Sequence, residues 1–131
     1  MEILIDFPGG SRVDAHFGKF TVATDQPPIA SAPTPFAVFL SSIGTCAGIY
    51  VLDFCRQRNL PTEDIQIVQK VHANPLNGMV ENIDVEIRIP NTFLEKYRDP
   101  LIRAAELCKV KKHLEHPPQF TITTVTAEPA R

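Results

Sequence analysis

From Gln26 to Leu52 the chain carries no charged residue, although charged side chains make up 21% of its 131 residues. Within that stretch, Phe36 to Leu52 is nearly all apolar or small. The run sits at the lower limit of length for a membrane span. Ser41, Ser42, Gly44, Thr45 and Gly48 dilute it, and it lacks the uniform Leu/Ile/Val/Phe content that insertion favours. It reads as a helix buried in protein rather than in lipid, so no membrane partner is expected. A helix apolar all round has to be covered all round. One small chain with a sheet on one side does not easily cover the opposite face. Ala37, Ser41, Gly44, Thr45 and Gly48 form a small-residue stripe that lets a second helix approach closely. The economical cover is the same helix of a second subunit across a two-fold axis, which predicts a homodimer. The alternative is that a later helix of the same chain covers the face alone.

The remaining composition narrows the class. At this length residues 1–131 are expected to form one domain. An apolar fraction of 44% and a net charge of −2, with no basic block, describe a globular chain and argue against a nucleic-acid partner. The amino terminus, Met1-Glu2-Ile3-Leu4-Ile5-Asp6, lacks the features of a signal peptide. Three cysteines with no secreted-framework spacing point to a reducing, cytoplasmic setting.

The chain opens as a strand meander. Ile3-Leu4-Ile5 precedes the turn Pro8-Gly9-Gly10, Val13, Ala15 and Phe17 alternate with Arg12, Asp14 and His16, and Phe20-Thr21-Val22 follows Gly18-Lys19. Residues 25–33 contain Pro27, Pro28 and Pro33 and read as a loop. Thr34-Pro35 supplies an N-cap and a first-turn proline for a helix running to about Arg58, where Asn59 and Pro61 stop it. Strands follow at 64–73 and 79–89, joined through Asn77-Gly78, a strong short-hairpin signal. Pro90-Asn91 begins a short helix. Asp99 can cap, and Pro100 can start, a second long helix running to about Glu115, and Phe120 to Val125 reads as a last strand. The predicted order is βββ-α-ββ-αα-β, an α+β fold of antiparallel sheets with two long helices.

Cys46 falls mid-way along the central helix and Cys108 in the middle of the last one. Cys55 lies nine residues after Cys46, about 900° at 100° per residue, so it faces the other way and reads as core filler. Apolar surroundings alone raise a thiol pKa, and Cys46 lies too far inside its helix to gain from that helix's positive start. Cys108 has Lys109 beside it and Lys111 and Lys112 one turn on, an arrangement that favours a thiolate. Core filling remains the bland alternative for Cys46, and a solvated lysine run for the region of Cys108.

Two segments carry a resemblance. Pro33-Thr34-Pro35-Phe36 through Ser41-Ser42-Ile43-Gly44-Thr45-Cys46-Ala47, and Ala104-Ala105-Glu106-Leu107-Cys108-Lys109-Val110-Lys111-Lys112-His113-Leu114, resemble the two cysteine segments of the OsmC/Ohr family (osmotically inducible protein C and organic hydroperoxide resistance proteins). The element order is similar too, so the likeness spans essentially the whole chain. The resemblance implies an intertwined homodimer with the central helices buried. It implies that Cys46 is the peroxidatic thiolate that attacks the O–O bond of an organic hydroperoxide, and that Cys108 resolves the sulfenic acid to a disulfide, which a dithiol reduces. It implies an activating arginine near the amino terminus, where Arg12 stands. Two departures mark a divergent branch. The family's arginine-orienting glutamate is here Phe36, and Lys109 and Lys111 occupy the positions of the family's proline and histidine. Lys111 or Lys112 is then a candidate replacement for the missing electrostatics.

His113 and His116, with Cys108, match no closed zinc set, and no phosphate loop, acid pair or serine triad is present, so neither metal nor cofactor is expected. Two functions compete. One is a thiol-dependent peroxidase working through Cys46 and Cys108. The other is a non-catalytic protein binding a small apolar or electrophilic molecule beside Cys46, which Phe36 favours because it makes the pocket more apolar and leaves an arginine unpartnered.

Overall fold

A computed structural model describes residues 1–127. Three antiparallel strands, β1 (Leu4–Gly9), β2 (Arg12–Phe17) and β3 (Phe20–Thr24), form one sheet in sequential order. Helix α1 (Pro35–Gln57) follows, and then the hairpin of β4 (Gln66–Ala73) and β5 (Val80–Arg88). A short 3₁₀ turn (Glu95–Tyr97) leads into α2 (Arg98–Ala105), and α3 (Lys109–Glu115) is the last helix. The class is α+β, as the strand and helix patterning predicted.

The start of α1 follows its sequence signals. Thr34 accepts a hydrogen bond from Ala37 N at 3.2 Å, and Pro35 occupies the first turn, where its missing N–H costs nothing. At the other end Asn59, with φ 55°, leaves helical space and Pro61 prevents resumption. One stripe of α1 is buried, namely Ile43, Ala47, Val51, Phe54 and Cys55, at helical spacing. Val51, Phe54 and Cys55 close with Leu101 of α2 into the core, on which Ile65, Ile67, Ile87 and Tyr97 pack. Cys55 is 0% exposed and burial pushes its thiol pKa up, so it serves as core filler, as its helical phase implied.

Four sequence expectations need correction. The second long helix does not exist as one piece, because α2 stops at Ala105, residues 106–107 turn, and α3 starts afresh at Lys109. Nor does Asp99 cap α2. The helix continues from the 3₁₀ turn and begins at Arg98, with Pro100 still inside the first turn, where no N–H is needed. The β4–β5 hairpin closes through a wider loop than a two-residue turn: Asn74 N bonds Met79 O at 2.8 Å, and Gly78 takes φ +71°. Phe120 to Val125 forms no strand. Its backbone has no partner strand among the described residues, and Phe120, Ile122 and Val125 stand exposed.

The small-residue stripe also divides. A Cβ on Gly44 would lie 2.6 Å from Gln69 Oε1, and one on Gly48 would lie 3.6 Å from Ile67 Cδ1. Both glycines therefore let β4 approach α1. Gln69 uses that approach to donate from Nε2 to Leu40 O at 2.9 Å. Among the described residues the other face of α1 is left uncovered, with Phe36 54% and Ile49 58% exposed.

Before α1, Asp25 organises the loop of residues 25–33. Its buried carboxylate accepts the Ser11 hydroxyl, Ser31 Oγ at 2.6 Å, and the N–H groups of Ser31 and Gln26 at 2.8 Å each. Those donors, the Ser11 hydroxyl foremost, hold its pKa far below the ordinary aspartate value of 3.8.

Two outcomes are expected. A depressed folded-state pKa contributes stability that is complete above the unfolded value and is lost progressively as pH falls from the unfolded towards the folded one. Asp25→Asn should therefore cost stability at pH 7 and reduce the loss of stability between pH 7 and pH 3, as urea midpoints at the two pH values would show. Gly44→Ala should be nearly neutral in the wild type, since helix propensity gains about 1 kcal/mol while displacement of the Gln69 bond loses about the same. In a Gln69→Ala background it should stabilise by about 1 kcal/mol. A loss well above about 2 kcal/mol in both backgrounds would mean that Gly44 packs against something other than Gln69.

Candidate active site: a thiol pair at an apolar cavity

Cys46 and Cys108 meet because the chain breaks between α2 and α3. At the break, Leu107 N and Cys108 N bond back to Ala104 O at 3.1 Å and Ala105 O at 3.3 Å, and Cys108 takes a non-helical conformation (φ −45°, ψ 119°). That turn drives Cys108 inward to 2% exposure, and its thiol donates to Ile43 O of α1 at 3.8 Å. The same sulfur accepts Lys111 N–H at 3.4 Å, so Cys108 is the N-cap of α3. Ile43 lies one turn before Cys46, so the Cys108 sulfur sits against the same part of α1 and near enough for each thiol to shift the pKa of the other. Both cysteines are free thiols.

The two sulfurs differ in electrostatics, in the sense opposite to what their neighbouring residues alone suggest. For Cys46, partial burial pushes the pKa up, but the Val110 N–H, the Cys108 thiol, the Lys109 N–H and the Lys109 ammonium together outweigh it. The net direction is below the ordinary thiol value of 9.0. For Cys108, burial dominates. The Lys111 N–H offsets it in part, the Cys46 sulfur adds to it, and the net direction is upward. The lysines one turn past Cys108 do not act as ammonium groups upon it: Lys111 contributes its backbone N–H, and its Nζ lies 3.8 Å from Glu115 Oε1. The sequence reading makes Pro100 to about Glu115 one continuous helix, where Cys108 shares a face with its i+3 and i+4 neighbours. Nothing in the run Ala105-Glu106-Leu107 is a helix breaker, so the sequence offered no local signal of the cap, or of the N–H groups it turns toward Cys46.

Arg12 stands elsewhere. It opens β2 and grips Asp14 with both arms of its guanidinium, Nη2 to Oδ2 at 2.7 Å and Nε to Oδ1 at 3.1 Å. That hydrogen bond raises its pKa and lowers that of Asp14. An arginine here is therefore not unpartnered, and among the described residues it is the Lys109 ammonium, not Arg12, whose charge favours a Cys46 thiolate. Phe36 is half-exposed and stacks on Phe39 at 5.7 Å between ring centroids. His113 is exposed on α3, with Nδ1 at 2.8 Å from Lys109 O, and His116 ends that helix.

A cavity of about 530 Å³ opens beside the thiol pair. Ile43 and Ala47 of α1, Ile83, Val85 and Ile87 of β5, Ile102 and Ala105 of α2, and Leu114 of α3 give it apolar walls. Glu106, Lys111 and Cys108 are its polar members. Cys46 is not in the wall, but Ile43 and Ala47 flank it in sequence.

The comparisons with known proteins agree with this architecture. A comparison with curated protein sequences finds no match. Among solved structures, an OsmC-like protein from Mycoplasma pneumoniae is 17% identical, covers 88% of this chain and 87% of its own, and has a TM-score of 0.70. A protein of Psychrobacter arcticus 273-4, described as an osmotic stress induced and detoxification response protein, is 15% identical over 84% of this chain and 85% of its own, with a TM-score of 0.69. The organic hydroperoxide resistance protein OhrB of Bacillus subtilis is 15% identical over 86% and 90%, with a TM-score of 0.51. At these identities the likeness concerns the fold. The family model for OsmC-like proteins matches residues 28–123, a range that holds Cys46 and Cys108 and leaves Arg12 outside. With both cysteine segments inside the match and the fold shared, the chain belongs to the OsmC-like protein family.

Proposed function

We propose that the protein is a thiol-dependent peroxidase that reduces organic hydroperoxides, with Cys46 as the attacking thiolate and Cys108 as the resolving thiol. The observation that carries this reading is the position of Cys108, whose sulfur bonds Ile43 O one turn before Cys46, and the opposed pKa directions of the two thiols, Cys46 down and Cys108 up, support it. A peroxidatic sulfur must be ionised to attack, and a resolving one need only be near and hold a proton. The Cys46 thiolate attacks one oxygen of the O–O bond, giving Cys46 sulfenic acid and an alkoxide that takes a proton from water. The Cys108 sulfur then displaces the sulfenic oxygen, its proton leaves with that oxygen as water, and the Cys46–Cys108 disulfide remains. A dithiol reductant returns both cysteines to thiols and becomes a disulfide itself. The cavity supplies an apolar seat for the organic part of the hydroperoxide.

The working unit on this reading is a cytoplasmic homodimer. Phe36 and Ile49 on α1, Phe7 on β1, and Phe120, Ile122 and Val125 are exposed apolar groups that a second copy would bury. Arg12, tied to Asp14, would take an activating role only by reaching the Cys46 of the partner copy. A second reading, binding of an apolar ligand without turnover, draws on the cavity's apolar walls and on Cys108 rather than Cys46 lining it.

Cys46→Ser should bring turnover of an alkyl hydroperoxide with a dithiol down to the uncatalysed rate. Cys108→Ser should leave a Cys46 sulfenic acid long-lived enough to trap with a dimedone-type reagent and detect by mass. Wild-type protein that accumulates no disulfide when treated with hydroperoxide, yet binds an apolar fluorophore in the cavity, would sink the peroxidase reading and support the second one. The activating cation is separable in the same protein. Lys109→Ala should raise the pH midpoint of Cys46 alkylation by less than about one unit, because an exposed ammonium acts weakly. Arg12→Ala should leave it unmoved if the activation is internal to the chain.

A further inference from the structure

The cavity beside the thiols is about 530 Å³ in volume, inside the range of roughly 300–1,000 Å³ in which proteins seat small organic molecules. Its walls are built so that little charge reaches it. Strand β5 turns Ile83, Val85 and Ile87 inward, and the same alternation sends Asp84 and Glu86 to the opposite face. There His72 Nε2 lies 2.9 Å from Asp84 and Lys70 donates to Glu86 at 2.8 Å. Helix α1 brings no charge, since none occurs between Asp25 and Asp53. Arg103 of α2 and Lys109 and Lys112 of α3 do not line the cavity. Among the described residues two charged side chains do, Glu106 at the break between α2 and α3 and Lys111 of α3.

Those two are not equivalent. Lys111 Nζ lies 3.8 Å from Glu115 Oε1, so its charge is already answered within α3. Glu106 has no ion-pair partner among the described residues. An anionic head group entering the cavity would give up water against isoleucine and valine side chains, a costly transfer without a compensating cation. The cation it meets is paired, and the unpaired charge repels it. An uncharged molecule loses no ionic hydration and gains the full apolar burial.

We infer that the cavity admits uncharged organic molecules and turns away anionic ones, with Glu106 as the residue that sets this preference. The inference deepens the peroxidase reading and rests on it only for turnover. On that reading it names the substrate class, uncharged alkyl or aryl hydroperoxides rather than hydroperoxides that carry a free carboxylate.

Decanol and decanoate, equal in chain length and different in head-group charge, test the preference without any thiol chemistry. Titration at pH 8 and low salt, followed through the methyl NMR signals of Ile83, Ile87 and Leu114, reads affinity and location together. Decanol should bind about tenfold or more tightly than decanoate, with shifts at those three residues. Glu106→Gln should leave decanol binding unchanged and narrow the gap roughly two- to fivefold, an effect that added salt removes because an exposed charge is screened. Glu115→Gln, which releases Lys111, should narrow the gap as well. Both glutamates are exposed, so neither substitution threatens the fold. Decanoate binding as tightly as decanol overturns the inference, as do shifts confined to residues away from the cavity, or no binding of either probe. An unchanged gap in Glu106→Gln overturns the role given to that residue. The peroxidase reading fails separately, when decanol binds yet wild-type Cys46 stays reduced under cumene hydroperoxide, an uncharged substrate.

Discussion

A helix of 23 residues with its first charge in its last turns has to find apolar company along most of its length, and the other elements are placed to provide it. Strand β4 comes close because Gly44 and Gly48 leave room for Gln69 and Ile67. Helix α2 brings Leu101 onto Val51, Phe54 and Cys55, where full burial of a side chain such as Leu101 is worth roughly 1.5–3 kcal/mol. The break after α2 turns Cys108 back onto Ile43 O. The thiol pair is thus a by-product of covering one face of α1, and the cavity is the part of that cover left unfilled.

The chemistry of the pair follows from where the cover ends. Burial penalises ionisation of both sulfurs, so the sulfur given hydrogen-bond donors becomes the more acidic. For Cys46 the nearby Val110 and Lys109 N–H groups, the Cys108 thiol and the Lys109 charge outweigh burial, and its pKa falls. Cys108 spends its bonding on capping α3 and on the α1 carbonyl, and remains protonated to higher pH. One backbone break therefore sets contact and polarity together. The segment that makes it, residues 106–108, is where substitutions should alter reactivity without touching the core of Val51, Phe54, Cys55 and Leu101.

Much of the architecture was legible along the chain. Thr34-Pro35 marked the start of α1 and Asn59 with Pro61 its end, because caps and helix stops depend on backbone sterics within a few residues. The meander and the β4–β5 hairpin followed from period-two alternation. So did the opposed directions of Cys46 and Cys55, since nine residues of helix is a fixed angle. The cysteine segments themselves pointed to the OsmC-like family and so to the two thiols.

What the sequence by itself determined, then, is set by local sterics and periodicity: the class of fold, the long apolar helix, and the cysteines worth attention. Only the tertiary structure decided that residues 98–115 form two helices, since Glu106 and Leu107 are good helix formers and the turned Cys108 meets a carbonyl on α1 far away in sequence. It decided that Gly44 and Gly48 serve β4, that Arg12 is held by Asp14, and that 120–125 finds no strand to pair with among the described residues. It also reversed the order of the thiols. A pKa depends on which donors and charges lie within a few ångströms in space, and neighbours in sequence supply those only when the backbone runs straight past them.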